Sequence, residues 1–159
     1  AGLELARRHG VVTILNPAPA VAASDAIYGL CDYITPNETE AASLTGLPVS
    51  NEAEARAAAA ELVRRGARNA VITLGENGAL LIGEAGNALV PAFPVAHVVD
   101  TTGAGDAFNG GFAVALAEGR SAAEAVRFGC ATAALSVQKP GTAPSMPTRA
   151  EIEALLSRS

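Results

Sequence analysis

The chain has 159 residues, half of them hydrophobic, and a formal net charge of -5 with only eleven Lys and Arg. A chain of that length buries roughly 70 % of its unfolded surface, enough for the core of one domain. The scarcity of basic residues excludes the clustered positive charge that nucleic acid or an anionic membrane surface requires, and no apolar run reaches the roughly 18 residues of a membrane span.

AGLELARRHG opens the chain without a methionine, already inside an amphipathic helical pattern with Leu3, Leu5 and Ala6 on one stripe and Gly10 as its stop. It reads as sequence cut from a longer chain. The basic, apolar, small-residue order of a signal peptide is missing, so a cytoplasmic location is expected. VVTIL, residues 11–15, suits a strand buried on both faces, and NPAPA, residues 16–20, makes a rigid exit from it because two prolines fix the backbone and remove donors. A helix containing Ser24 and Asp25 is predicted up to Leu30, then a strand at CDYIT, residues 31–35, broken by Pro36.

Asn37 is placed to cap the helix NETEAASLTG, with Glu38 and Glu40 in the first turn and Gly46 at its end. Ser50 or Asn51 caps the alanine-rich helix that follows, which stops at Gly66. NAVITLG, residues 69–75, is a buried-strand run. GALLIGE and NALVPAF alternate around the turn EAGN, and VAHVVD, residues 95–100, is predicted as a further strand. Two long helices follow, from Ala104 to Glu118 and from Ser121 to about Val137, then a loop rich in Gly and Pro and a last helix, TRAEIEALLSRS, capped by Thr148. Strands alternating with helices predict an α/β fold, a Rossmann-like and mostly parallel sheet with helices on both faces, in one domain over residues 1–159. Cys31 and Cys130 stand outside any CxxC spacing and read as buried small hydrophobes, and His9 and His97 add no metal-ligand spacing.

The chemistry concentrates in DTTGAGDAFNGGF, residues 100–112. The predicted strand delivers Asp100 at its carboxyl end, and the turn through Gly103 and Gly105 opens a helix, at the edge where open α/β sheets bind ligands. The backbone N–H groups of Gly103, Ala104 and Gly105 lack intrahelical partners, so they can face an anion, and the helix dipole adds to the attraction. If that anion is a transferring phosphoryl group, the amides stabilise charge on its equatorial oxygens. Asp106, just behind, could accept the proton of a hydroxyl nucleophile. The plainer reading makes Asp106 a first-turn acid favouring the dipole and Asp100 a turn-initiating residue.

DTTGAGDAFNGGF resembles the C-terminal signature of the ribokinase (PfkB) family of carbohydrate kinases, D-T-x-G-A-G-D-x-F-x-G. NPAPA, TPNETEA and TLGENGAL agree with that family in the same order, so the resemblance spans the chain and is nearest to the ribokinases. It implies the C-terminal half of the ribokinase-like fold, without the N-terminal half and the sugar lid. It implies ATP-dependent phosphorylation of a sugar, with ribose at its 5-hydroxyl favoured over fructose, a nucleoside or another acceptor, in a protein that is a homodimer at full length.

Residue by residue, the resemblance implies Asp106 as general base and Gly103, Ala104 and Gly105 as the anion hole. It implies a potassium site at Asp100 with the carbonyls of Thr102, Ser136, Lys139 and Gly141 and the hydroxyl of Ser145. It implies Asn37 on nucleotide phosphate, Glu40 ordering water around Mg2+, and Thr73, Leu74, Gly75, Glu76, Asn77 and Gly78 beside the nucleotide. Cys130 stands where the family often has His or Asn near adenine, and a thiol makes a poorer hydrogen bond there. Asn37 and Glu40, three apart at a helix start, serve equally as a capping box, and TLGENG as an ordinary turn between strands. No residue is assigned to gripping a sugar. As rivals, a non-catalytic nucleotide-binding module stays open, whereas a dinucleotide-binding domain would need GxGxxG after the first strand, where NPAPA stands.

Overall fold

The computed structural model describes residues 1–20 and 24–158, which divide into two compact units: residues 1–74 with 80–89, and residues 75–79 with 90–158. No helix among the described residues is long and apolar enough to cross a membrane.

The first unit is built on a sheet ordered β1 (Ile14–Leu15), β2 (Tyr33–Ile34), β3 (Asn69–Thr73), β4 (Ala79–Gly83) and β5 (Ala88–Val90). β1 pairs with β2 and β2 with β3, both in parallel. Only a few residues link β3 to β4 and β4 to β5, so those links are hairpins. Four of the five strands therefore run one way, and the sheet is mixed and mostly parallel. β3 carries the core: Ala70 and Ile72 join Ile34, Ala41, Ala55, Ala58, Ala59, Leu62 and Leu80, and Val71, on the opposite face by strand alternation, is also fully buried. The strand is buried on both faces, as its unbroken apolar run requires.

Helix α1 (Gly2–Arg8) opens this unit, and α2 (Glu38–Thr45) and α3 (Glu52–Arg64) link β2 to β3. Asn51, not Ser50, caps α3 by accepting the Glu54 N–H at 3.0 Å. α3 buries Ala55, Ala58, Ala59 and Leu62, positions recurring at helical spacing whose alanines let helix and sheet approach closely. At the amino ends of the strands the Asp32 carboxylate accepts the Thr13 N–H at 2.8 Å and its hydroxyl at 3.0 Å, while Asn69 Nδ2 donates to the Asp32 carbonyl at 2.9 Å.

Three expectations for this unit change. α1 buries none of its residues, and Leu5 on its apolar stripe is exposed. Residues 25–30 form a 3-10 helix rather than an α-helix, capped by Ser24, which accepts the Ala26 N–H at 3.3 Å. VVTIL pairs only through its last two residues.

The second unit packs α4 (Ala104–Ala117), α5 (Ala122–Ser136) and α6 (Arg149–Leu156). α4 and α5 meet closely because a Cβ on Gly129 would stand 2.9 Å from the Phe108 ring. Arg120 and Arg149 stack on Phe128, their guanidinium carbons 4.8 and 5.5 Å from the ring centroid, and Arg149 pairs with Glu118, which holds the start of α6 to the end of α4. Ser121 and Thr148 cap α5 and α6 in reciprocal boxes with Glu124 and Glu151. Ser159, in the expected last helix, lies outside the described residues.

VAHVVD is not a strand. Val98 and Val99 are 59 % and 57 % exposed, and the amides of Val99 and Asp100 donate to the Val137 carbonyl at 2.8 and 3.2 Å. Val137 is the C-cap of α5, so these two donors satisfy a helix end, whose last carbonyls have no intrahelical partner.

Candidate functional site

In the first unit, the parallel register of β2 and β3 sets their carboxyl ends side by side. Asn37 and Thr73, each just past the pairing, form a further parallel bridge, and the Thr73 N–H donates to the Pro36 carbonyl at 3.0 Å. TPNETEA and the start of TLGENG thus meet at the carboxyl edge of the sheet. Asn37 Oδ1 accepts the Glu40 N–H at 2.8 Å, and Glu40 Oε2 accepts the Asn37 N–H at 2.9 Å. This is a complete capping box; it leaves Glu40 Oε1 and the Asn37 amide NH2 without a hydrogen bond among the described residues. Leu74 is buried in the core.

In the second unit, Gly75–Asn77 forms one 3-10 turn, with Gly75, Glu76 and Asn77 exposed. Gly78 closes it with φ +97, and a Cβ there would overlap the Val90 carbonyl oxygen and stand 2.6 Å from the Ala92 nitrogen. Only glycine satisfies both the backbone angle and the space.

Asp100 organises the glycine turn of the second unit. Its Oδ1 accepts the Thr102 N–H at 2.9 Å and its Oδ2 the Gly141 N–H at 3.0 Å. The Thr102 amide, the Thr102 hydroxyl and the Gly141 amide, in that order, hold its carboxyl below the usual carboxylate range. Gly103 takes the N-cap position of α4 with φ +79 and offers no side-chain cap. Among the described helices of eight or more residues it is the one start without such a cap, since Asn37, Asn51, Ser121 and Thr148 serve the others. Ala104 donates to the Thr101 carbonyl at 3.1 Å, so of the three expected anion-facing amides those of Gly103 and Gly105 have no partner among the described residues. Asp106 occupies the third position of the helix, exposed, and its carboxylate makes no hydrogen bond or ion pair among the described residues.

The remaining expected residues lie on α5 and the loop after it. Ser136 is buried, its hydroxyl donating to the Ala133 carbonyl at 2.8 Å and its own carbonyl accepting the Lys139 N–H at 3.1 Å. Lys139 Nζ pairs with Glu151 at 3.1 Å. Ser145, also buried, donates its hydroxyl to the Thr142 carbonyl at 2.6 Å. Asp100, Thr102 and Gly141 are thus directly joined, while Ser136, Lys139 and Ser145 belong to the same 136–145 segment. Cys130 is 7 % exposed within α5, and burial pushes its thiol up to about 12.

No group of three or more His, Cys, Asp or Glu side chains able to hold a metal occurs among the described residues. A magnesium ion kept mostly by water and substrate phosphates fits a lone carboxylate such as Glu40. A monovalent cation fits oxygen donors of this kind: the Asp100 carboxylate is ionised and its Oδ2 keeps a lone pair after accepting the Gly141 N–H, and the Ser145 oxygen, its proton directed at Thr142, keeps its own. Sequence reasoning missed Val137, whose carbonyl fixes the approach to Asp100. Its position at a helix end, where carbonyls go unpaired, was the available signal. Thr142, beside Gly103, carried no sequence signal.

Residues 2–149 match the family model described as pfkB family carbohydrate kinase. The chain is 47 % identical over 148 residues to a ribokinase of Haemophilus influenzae, covering 93 % of this chain and 48 % of that protein. It is 42 % identical over 156 residues to a deoxyribokinase of Salmonella typhi, covering 98 % of this chain and 51 % of that one. The solved structure of Arabidopsis thaliana ribokinase complexed with ribose and ATP superposes with a TM-score of 0.89 at 36 % identity, covering 99 % of this chain and 51 % of that chain. The chain spans about half the length of the curated relatives it matches.

Proposed function

The chain belongs to the pfkB family of carbohydrate kinases, and we propose that it serves ATP-dependent phosphoryl transfer to a sugar hydroxyl, with ribose at its 5-hydroxyl as acceptor. The observation that carries this reading is the start of α4, a glycine cap whose amides at Gly103 and Gly105 and whose Asp106, in the first turn, have no partner among the described residues, with Asp100 bracing the turn against Gly141.

Little covalent chemistry is asked of the protein in phosphoryl transfer, so positioning and charge dominate. The N–H groups of Gly103 and Gly105 receive the negative charge on the phosphoryl oxygens, with Ala104 completing the turn. Asp106 accepts the proton of the sugar hydroxyl as its oxygen bonds to the γ-phosphorus, and the bond from that phosphorus to the bridging oxygen breaks, releasing ADP. Asn37 contacts nucleotide phosphate, Glu40 holds magnesium through water, and Thr73, Leu74, Gly75, Glu76, Asn77, Gly78 and Cys130 lie beside the nucleotide. Asp100, with the carbonyls of Thr102, Ser136, Lys139 and Gly141 and the Ser145 hydroxyl, holds a potassium ion. Magnesium supplies charge neutralisation for the phosphates and potassium a fixed positive charge beside the glycine turn. In the cell the protein acts in the cytoplasm as a homodimer.

The deoxyribokinase relative favours a second acceptor, deoxyribose, within the same reaction. A coupled ADP-release assay with ribose, deoxyribose, fructose and nucleosides decides between them; ATP binding without turnover on any acceptor would replace the kinase reading with a nucleotide-binding module.

A further inference from the structure

Thr142 enters none of the roles above, yet its side chain lies against the first residue of the glycine turn. With φ +79 at Gly103, a Cβ on that residue would stand 3.1 Å from Thr142 Cγ2, 3.2 Å from its Cβ and 3.5 Å from its Cα. The space a side chain would take on Gly103 is bounded by the branched carbon of Thr142 and its methyl. Thr142 is itself fixed from both sides. Its carbonyl accepts the Ser145 N–H at 3.2 Å and the Ser145 hydroxyl at 2.6 Å, and Ser145 is buried. The residue before it, Gly141, is tied to the Asp100 carboxylate that also holds Thr102. The methyl carbon, not the hydroxyl oxygen, is the Thr142 atom nearest that space, and the hydroxyl makes no hydrogen bond among the described residues.

We propose that Thr142 is a positioning residue for the phosphoryl transfer, a steric stop that sets the angle of the Gly103 turn and so the direction of its amides. The role rests on the kinase reading. Its physical content is separate: a turn held by hydrogen bonds at Asp100 still rocks about that residue unless something fills its other side, and small misplacements of catalytic donors lower rate more than affinity.

The test uses Thr142→Ala, Thr142→Ser and Thr142→Val in the protein expressed from its complete coding sequence. Valine keeps both branches and their volume, serine removes the methyl and alanine removes both. Alanine and serine are expected to lower kcat roughly 3- to 10-fold with KM for ATP within about twofold of wild type, while valine stays within about twofold of wild type in both. The amide NMR resonances of Gly103 and Gly105 should shift in the alanine variant and hold in the valine variant, without any turnover being needed. A wild-type kcat and unmoved Gly103 amide in Thr142→Ala would overturn the proposal, as would a valine variant as impaired as alanine, which would assign the effect to the hydroxyl. Absence of sugar phosphorylation in the wild type would instead fail the kinase reading, and the amide shifts would still decide whether Thr142 sets the turn.

Discussion

The Gly141 N–H donates to the Asp100 carboxylate at 3.0 Å across a separation of 41 residues. The same side chain accepts from Thr102, two residues on, so one carboxylate joins the glycine turn to the loop after α5. Asparagine in its place keeps one acceptor and turns an NH2 toward a backbone donor. Asp100→Asn is expected to weaken potassium activation at least roughly tenfold, read as the potassium concentration giving half-maximal rate. Because the carboxyl is held below its unfolded value, the stability it contributes is complete above the unfolded carboxylate range and is lost as pH falls through the lowered folded value. Urea unfolding from neutral pH into the acid range should show a shallower decline for the variant; parallel declines would mean that the tie carries no stability.

Among the described residues Asp106 has no hydrogen-bond or ion-pair partner to release, as suits the proposed base. Asp106→Asn is expected to lower kcat by at least roughly 100-fold, the lower range for losing a general base, with ATP affinity by calorimetry little changed. Near-normal turnover would remove Asp106 from the role of base.

The Asn37–Glu40 box separates capping from catalysis. Glu40→Gln preserves the box, since glutamine serves at the third position, but removes the charge. Its melting temperature should match wild type while the magnesium concentration for half-maximal rate rises. Asn37→Ala should cost about 1 kcal/mol through the lost cap, measured by chemical denaturation. A Gln variant with unchanged magnesium dependence would leave Glu40 a capping residue alone.

Two glycines are set by space. Gly78→Ala places a Cβ on the Val90 carbonyl at a positive φ, and a loss of more than about 2 kcal/mol is expected. Gly129→Ala drives a methyl into the Phe108 ring, for about 1–3 kcal/mol of overpacking. Denaturation midpoints within error of wild type would contradict the close approach at either position.

Helix starts were legible because they depend on neighbours within one turn. Asn37 and Thr148 cap where their sequences indicate, and the acids three residues on complete the boxes. β3 was legible as a long apolar run buried on both faces. VAHVVD has the same strand-like composition, but a strand exists only where another offers its edge, and here the last amides close the end of α5. VVTIL shortened to Ile14–Leu15 for the same reason.

At the site, the motif alone pointed to residue types suited to binding an anion and taking a proton, because glycines free of Cβ and a carboxylate in the first turn offer that chemistry through local geometry. Which amides have no partner among the described residues, with Ala104 engaged by Thr101 and Gly103 and Gly105 not, was decided by the fold of the turn. So was the tie between Asp100 and Gly141, and the seat of Thr142 against Gly103. These pairs lie tens of residues apart in the chain, and no local preference encodes them; they arise where the loop leaving α5 folds back onto the entrance of α4.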